Sequence, residues 1–279
     1  MKNYYLIVAF FSSGIVFAAE NKIDYPGIGS DIGFEQIQAL KFSQEDQRLA
    51  YGDDPLQFGK LYLPKNSDSP HPLIVFIHGG CWLNSFDMSH AYAFLTGLAQ
   101  EGLAVWSLEY RRTGDTGGGW PGTYEDIKAG IRYLSSLESF GVDTENFLIA
   151  GHSAGGHLSL LAGTETPDAR GVIALAPITN IISYSQGSGS CEVAATQFIG
   201  SSYNQNPSAY RQANPAEKTP HRNSIIFHGT LDAIVPIEQS RLTGARTELH
   251  EGVSHFDWIH PGSEAFATVS YTHLTLPTT

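Results

Sequence analysis

The chain has 279 residues, 42% hydrophobic and 16% charged, which gives apolar material for one large core and too little charge density for a disordered chain. Lys and Arg number 16 against 28 Asp and Glu, a formal charge of −12. Such a surface repels phosphate backbones, and with no basic patch to override it, nucleic acid is excluded as a partner. No internal repeat is visible, which sets aside solenoids and propellers.

Lys2 opens a short positive segment, and residues 4–17 are almost wholly apolar, interrupted by Ser12, Ser13 and Gly14. Val16-Phe17-Ala18 presents residues that a signal peptidase reads, so 1–18 is expected to be a secretory signal peptide cleaved after Ala18. An uncleaved anchor fits less well, because the run falls short of the ~20 residues a span needs. The mature chain is therefore expected to be exported, periplasmic or secreted, with no stable membrane insertion. In an oxidising compartment Cys81 and Cys191 are able to pair; a disulfide and two buried free thiols both remain open. The 11 histidines show no metal-ligand spacing, and no metal or other cofactor is expected.

Residues 58–63 read as a half-buried strand ahead of Pro64. Residues 73–77, Leu-Ile-Val-Phe-Ile, are apolar on both faces, as suits a central strand covered on both sides, and run into His78-Gly79-Gly80-Cys81-Trp82. Residues 103–108 form another such run, with Tyr110 and Arg111 just beyond it. Over 123–137, Ile127, Ile131 and Leu134 fall on one helical stripe. A short buried strand at 147–150, a helix of small residues at 154–162 and a strand at 172–175 follow. The rhythm is lost over 178–219 among Ser, Asn, Gly and Gln, then returns in strands at 224–227 and 246–250. The alternation predicts an α/β fold with a mostly parallel central sheet, helices on both faces and right-handed crossovers. It forms one domain with a small cap insertion at about 178–219.

The sharpest chemical signal is Gly151-His152-Ser153-Ala154-Gly155, between the strand at 147–150 and the helix it opens. A serine at a strained strand-to-helix turn needs neighbours without side chains, and the helix start aims free N–H groups at an anion formed there. A serine hydroxyl needs a base, and the base an orienting acid. Asp232 follows the strand at 224–227 and His255 the strand at 246–250, in the order Ser, Asp, His. His228 precedes Asp232 and is read as a structural loop residue. Asp257 and His260 are rivals near His255, but Asp257 stands too close to orient the ring from its far side, so a surface or supporting role is expected. His152 flanks the serine, and His157 points along the helix into a packing role. The paired glycines Gly79 and Gly80, with Ala154, are expected to supply backbone N–H donors for an oxyanion, each typically worth ~2.7–4 kcal/mol.

HGGCW at 78–82, EYRR at 109–112, WPGTYED at 120–126, GHSAGGHL at 151–158, HGTLDAIVP at 228–236 and SHFD at 254–257 carry a resemblance over nearly all of residues 40–268. The chain resembles the α/β-hydrolase superfamily, in the esterase branch related to hormone-sensitive lipase, bacterial feruloyl esterases and kynurenine formamidases. The resemblance implies Ser153 as nucleophile, Asp232 as acid, His255 as base, and oxyanion donors from Gly79, Gly80 and Ala154. Cys81 stands where lipase-type members often show a third glycine, and Trp82 after it is the formamidase-like pattern. By the same analogy Trp82 is expected to wall the acyl pocket, whereas Trp120 is expected to be a packing aromatic.

The expected function is that of an exported serine hydrolase, a carboxylesterase acting on short-chain or aromatic acyl esters, with a small-molecule ester, a glycan ester among the candidates, as its partner. Arylformamidase, prolyl-oligopeptidase-like peptidase and non-catalytic binding protein are the alternatives. At the C-terminus Ala265, Phe266 and Val269 begin a helical stripe, and the threonine-rich stretch 270–279 with Pro277 is expected to abandon it as a non-native tail.

Overall fold

The computed structural model describes residues 22–65 and 70–275, with side chains as far as Thr272. The expected signal peptide at 1–18 lies outside the described residues. Among the described residues eight strands form one sheet: β1 (Gln47–Ala50), β2 (Phe58–Tyr62), β3 (His71–Ile77), β4 (Ala104–Leu108), β5 (Val142–His152), β6 (Gly171–Leu175), β7 (Ser224–Gly229) and β8 (Arg246–His250). Their spatial order is β1-β2-β4-β3-β5-β6-β7-β8. The first two join antiparallel, and every pairing from β4 to β8 is parallel.

Strand side chains alternate between faces, and here the alternation divides the core in two. Leu73, Val75 and Ile77 of β3 pack with Trp106, Ile149, Val172 and Ile226 on one face. That face is covered by α3 (Gly122–Arg132) and α4 (Ala154–Glu165). Ile74 and Phe76 point the other way, with Val105, Leu148, Ile173 and Phe227, under α2 (Tyr92–Gln100) and α8 (Glu264–Thr275). This is the doubly covered, mostly parallel sheet of an α/β-hydrolase, in which sites form beyond the carboxyl ends of the strands. No helix among the described residues is long and apolar enough to cross a membrane.

Two regions were not foreseen in detail. Residues 22–40, which include α1 (Phe34–Gln38), reach across to the far end of the chain: the backbone N–H groups of Asp31 and Ile32 donate to the Asp257 carboxylate at 3.2 and 2.9 Å. The stretch 178–219 carries three α-helices, α5 (Ile181–Tyr184), α6 (Ser190–Ile199) and α7 (Pro207–Gln212), and a 3-10 turn at Pro215–Glu217. Their inner side chains Ile181, Tyr184, Phe198 and Tyr210 belong to the same core as β3 and α4.

The C-terminal stretch departs from expectation. Helix α8 does not stop near Val269 but continues to Thr275, with Ser270 and Thr272 buried. The hydroxyls of Ser270 and Thr272 donate back to the carbonyls of Ala267 and Thr268, which satisfies them inside the helix. Pro277 lies outside the described residues.

Helix α4 sits so close to β3 that a Cβ on Gly155 would stand 2.0 Å from the carbonyl oxygen of Ile77 and 2.4 Å from that of His78. Both obstacles are main-chain atoms with no room to swing aside. Gly155→Ala is therefore expected to destabilise the fold by at least the ~1–3 kcal/mol of ordinary overpacking. The check is urea denaturation, where the midpoint should fall; an unchanged midpoint would contradict the close contact.

Candidate active site

Strand β5 delivers His152 and Ser153 at its carboxyl end. Ser153 adopts φ 58°, ψ −122°, a region that L-residues avoid, and α4 begins at the next residue. Its N–H donates to the carbonyl of Leu175 at 2.8 Å, pinning the turn to β6, and its side chain lines a cavity.

The loop after β7 carries Asp232. Its Oδ1 accepts the N–H groups of Ile234 and Val235 at 2.9 and 2.8 Å, which leaves Oδ2 for His255 Nδ1–H at 2.7 Å. Burial alone would raise the carboxyl pKa. The adjoining His255 ring and these N–H donors outweigh it and hold Asp232 below its ordinary 3.8. Because the carboxylate accepts from Nδ1–H and so keeps the hydrogen on Nδ1, the Nε2 of His255 is the bare, basic nitrogen. His255 and Ser153 line the same cavity.

The rivals have other work. His228 donates Nε2–H to the carbonyl of Val235 at 3.0 Å and stays within the loop. His157 accepts Trp82 Nε1–H at 3.3 Å and donates to the carbonyl of Ala213 at 2.7 Å, a packing role, and burial lowers its pKa to about 4. Asp257 is buried: it accepts Ser254 N–H and Oγ–H, both at 2.8 Å, together with the two N-terminal amides, and so moors the His255 loop. His260 accepts the N–H of Gly262 at 3.0 Å.

The loop after β3 runs through three positive φ values, Gly80 at 107°, Cys81 at 52° and Trp82 at 58°. It rests on a buried carboxylate. Glu109 receives His78 Nε2 at 3.1 Å, the N–H groups of Met88 and Tyr110, both at 3.1 Å, and Arg112 at 3.4 Å. Burial would raise the Glu109 pKa, but His78 and Arg112 hold it low. Tyr110 stacks on His78 and donates its hydroxyl to the His78 carbonyl at 2.8 Å. Gly79 lies against the serine turn, where a Cβ would come within 3.0 Å of Ser153 Cβ. The structure thus brings Gly79, Gly80 and Ala154 around Ser153. The EYRR and WPGTYED segments are scaffold: Arg111 grips Asp126 through Nε and Nη2 at 2.9 and 2.6 Å. Trp120 packs on Tyr124 and Phe198.

Trp82 does not wall the pocket. It is wholly buried, stacked on Phe198 of α6 with ring centroids 5.1 Å apart and bonded to His157. The positive φ at Cys81 and Trp82 turns the indole down between α4 and the cap. Cys81 takes the place at the cavity, joined by a disulfide to Cys191 of α6 across a Cα–Cα distance of 5.1 Å.

The cavity measures about 340 Å³, and its apolar wall includes Phe34, Phe86, Ile234 and Phe256 beside the disulfide. Phe34 packs on Phe86 and Phe256 with centroids 5.7 and 5.4 Å away. His90 also lines it; its Nδ1–H donates to the carbonyl of Asp87 at 2.7 Å, and burial, then the neighbouring His78, lower its pKa to about 4. Phe34, Phe86, His90, Ile234 and Phe256 were not singled out from sequence, although Ile234 and Phe256 fall within the HGTLDAIVP and SHFD motifs. Among the described residues no cluster of His, Cys, Asp or Glu is arranged to hold a metal ion.

Fold and site together define an α/β-hydrolase. The BD-FAE family model matches residues 60–246, and the chain belongs to that family. It is similar to esterase LipC of Mycobacterium tuberculosis, 29% identical over 216 residues that cover 70% of this chain and 53% of LipC. It is also similar to isoprenylcysteine alpha-carbonyl methylesterase ICME of Arabidopsis thaliana, 27% identical over 261 residues, 81% of this chain and 60% of the relative. The chain thus spans a little over half the length of these two curated relatives. Among solved structures, a truncated carbohydrate esterase from gut microbiota superposes with TM-score 0.72 at 21% identity, covering 84% of this chain and 96% of its own. Esterase B from Lactobacillus rhamnosis superposes with TM-score 0.72 at 21% identity, covering 87% and 89%.

Two outcomes follow for the site. Asp232 has a folded pKa below its unfolded one, so the stability it confers is complete above about pH 4 and is lost as pH falls through the depressed folded value. Asp232→Asn should lower Tm at pH 7, and its gap from wild type should shrink below about pH 4; a gap independent of pH would contradict the assignment. The disulfide closes a separation of 110 residues, and its loss typically costs about 2–4 kcal/mol. Calorimetry of the Cys81→Ser, Cys191→Ser double variant should show a clearly lower Tm than the oxidised protein, and equal values would count against the crosslink.

Proposed function

We propose that this chain is a carboxylic ester hydrolase that works through an acyl-enzyme on Ser153. The observation that carries the reading is the 2.7 Å Asp232–His255 pair sharing one cavity with a serine at a strand-to-helix elbow. His255 Nε2 removes the hydroxyl proton as Oγ attacks the ester carbonyl. The oxyanion forms facing the N–H groups of Gly79, Gly80 and Ala154. The imidazolium, steadied by Asp232, gives its proton to the departing alcohol, and water repeats the sequence on the acyl-enzyme. The similarity to LipC and ICME, named as an esterase and a methylesterase, supports ester chemistry.

The acyl group is small or carries a single ring. A cavity of about 340 Å³ is near the lower end of ligand pockets (roughly 300–1,000 Å³), and its Phe34–Phe86–Phe256 wall offers ring edges and faces to an aromatic acyl group. The protein acts outside the cytoplasm. The apolar segment at 4–17 and the disulfide support this, since disulfides persist in oxidising compartments.

The test is a p-nitrophenyl ester series of acetyl, butyryl, benzoyl and palmitoyl groups, with Ser153→Ala as control. Turnover should favour the first three over palmitoyl and fall by several orders of magnitude in the variant. Fastest turnover of palmitoyl would overturn the acyl assignment, and a variant retaining a tenth of wild-type activity would overturn the nucleophile.

A further inference from the structure

His152, the residue before the serine, has no part in the proton transfers above, yet it touches both loops on which they depend. Its side chain lines the catalytic cavity and is 2% exposed. Toward the base, Nε2 lies 2.9 Å from the backbone carbonyl of His255, and the two rings stand 4.6 Å apart. A carbonyl only accepts, so Nε2 carries the hydrogen and Nδ1 is left bare. Toward the oxyanion loop, Nδ1 is buried without a hydrogen-bond partner among the described residues, and a Cβ on Gly79 would stand 3.4 Å from it. That is ordinary contact, so the loop lies alongside the ring; what a Cβ on Gly79 would crowd is the His152 carbonyl oxygen at 2.9 Å and Ser153 Cβ at 3.0 Å.

We propose that His152 is a positioning residue: its neutral imidazole spaces the oxyanion loop at Gly79 from the histidine loop at His255, and its Nε2–H holds the latter's backbone. A misplacement of 1 Å in such a constellation can cost about 10²-fold in rate. The groups that act on its charge are His255, His90 and Asp232; burial first, then His255, keep it well below the ordinary histidine pKa. A cation here would oppose the imidazolium that forms on His255 at each turnover. The inference rests on the serine-hydrolase reading and adds a role that the triad does not supply.

The test compares wild type with His152→Phe, which keeps a ring without a donor, and His152→Gln, which keeps a donor. Active sites are counted by fluorophosphonate titration, and kcat and KM for p-nitrophenyl butyrate are expressed per titrated site. The expected result is a fall in kcat of about 10- to 100-fold in the Phe variant, with KM within about threefold, and recovery of at least fivefold in the Gln variant. His152→Leu replaces Phe if that variant does not yield soluble protein. A Phe or Leu variant within twofold of wild type per site, or a Gln variant no better than it, overturns the proposal. So does a loss explained wholly by fewer titratable sites. The second-order rate of fluorophosphonate labelling should follow the same order. It tests His152 even if no ester in the series turns over, a result that would instead defeat the ester reading.

Discussion

Ser153 is held at φ 58°, ψ −122° between a strand and a helix, and the rest of the site is arranged around that one unfavourable turn. A residue in such a conformation costs of order 1–3 kcal/mol, a sizeable share of the ~5–15 kcal/mol by which a domain is stable. The surroundings must therefore over-determine it. A Cβ on Gly151 would stand 2.2 Å from the carbonyl oxygen of Gly155, so the two flanking glycines are what allow strand and helix to meet. Helix α4 is buried along Ala154–Gly163, and its packing supplies the energy that keeps the turn closed. The same closeness brings the start of α4 against the loop that follows β3.

Three buried carboxylates then set the loops above the sheet. Glu109 holds the oxyanion loop through His78 and Arg112, Asp126 holds the segment after β4 through Arg111, and Asp257 holds the histidine loop to the N-terminal segment. Each is satisfied by several donors, which is the condition for a buried charge to be tolerated. For the Glu109–Arg112 and Asp126–Arg111 ion pairs, removing one partner typically leaves a deficit of about 3–5 kcal/mol. Rigidity at these points lets residues from β3, β5, β7 and β8 meet with little freedom.

The parallel core was legible because strands buried on both faces read as unbroken apolar runs, as at 73–77 and 172–175. The elbow, Asp232 and His255 were legible because strand-ends announce themselves and because this fold carries the three in the order Ser, Asp, His. The pocket wall was not. Phe34 comes from a five-residue helix at the far end of the chain, and its nearness to Phe256 depends on the Asp257 bonds, which leave no local pattern. Trp82 was misplaced because adjacency to a loop says nothing of side-chain direction. Two positive φ values at Cys81 and Trp82 reverse which side chain meets the cavity. The Cys81–Cys191 bond belongs to the same class of contact, joining segments that only the folded chain brings together. In α8 the propensity of threonine against helix gave way to back-bonded hydroxyls and a packed apolar stripe.

The bond from Ile32 to Asp257 spans 225 residues, and it bears on time as well as geometry. A contact so distant in sequence cannot form before Asp257 is synthesised, and its loop-closure entropy must be met before it rewards the fold. During synthesis the serine turn leaves the ribosome about 100 residues before the histidine loop, an interval of roughly 5–20 s at ordinary elongation rates of about 5–20 residues per second. Throughout that interval Ser153 has no His255 to share a cavity with, and the Asp31 and Ile32 amides have no Asp257 to bond. The Asp232–His255 pair is thereby delayed until β8 and the loop that follows it have emerged, and a chain cut short before them carries the serine turn without that pair.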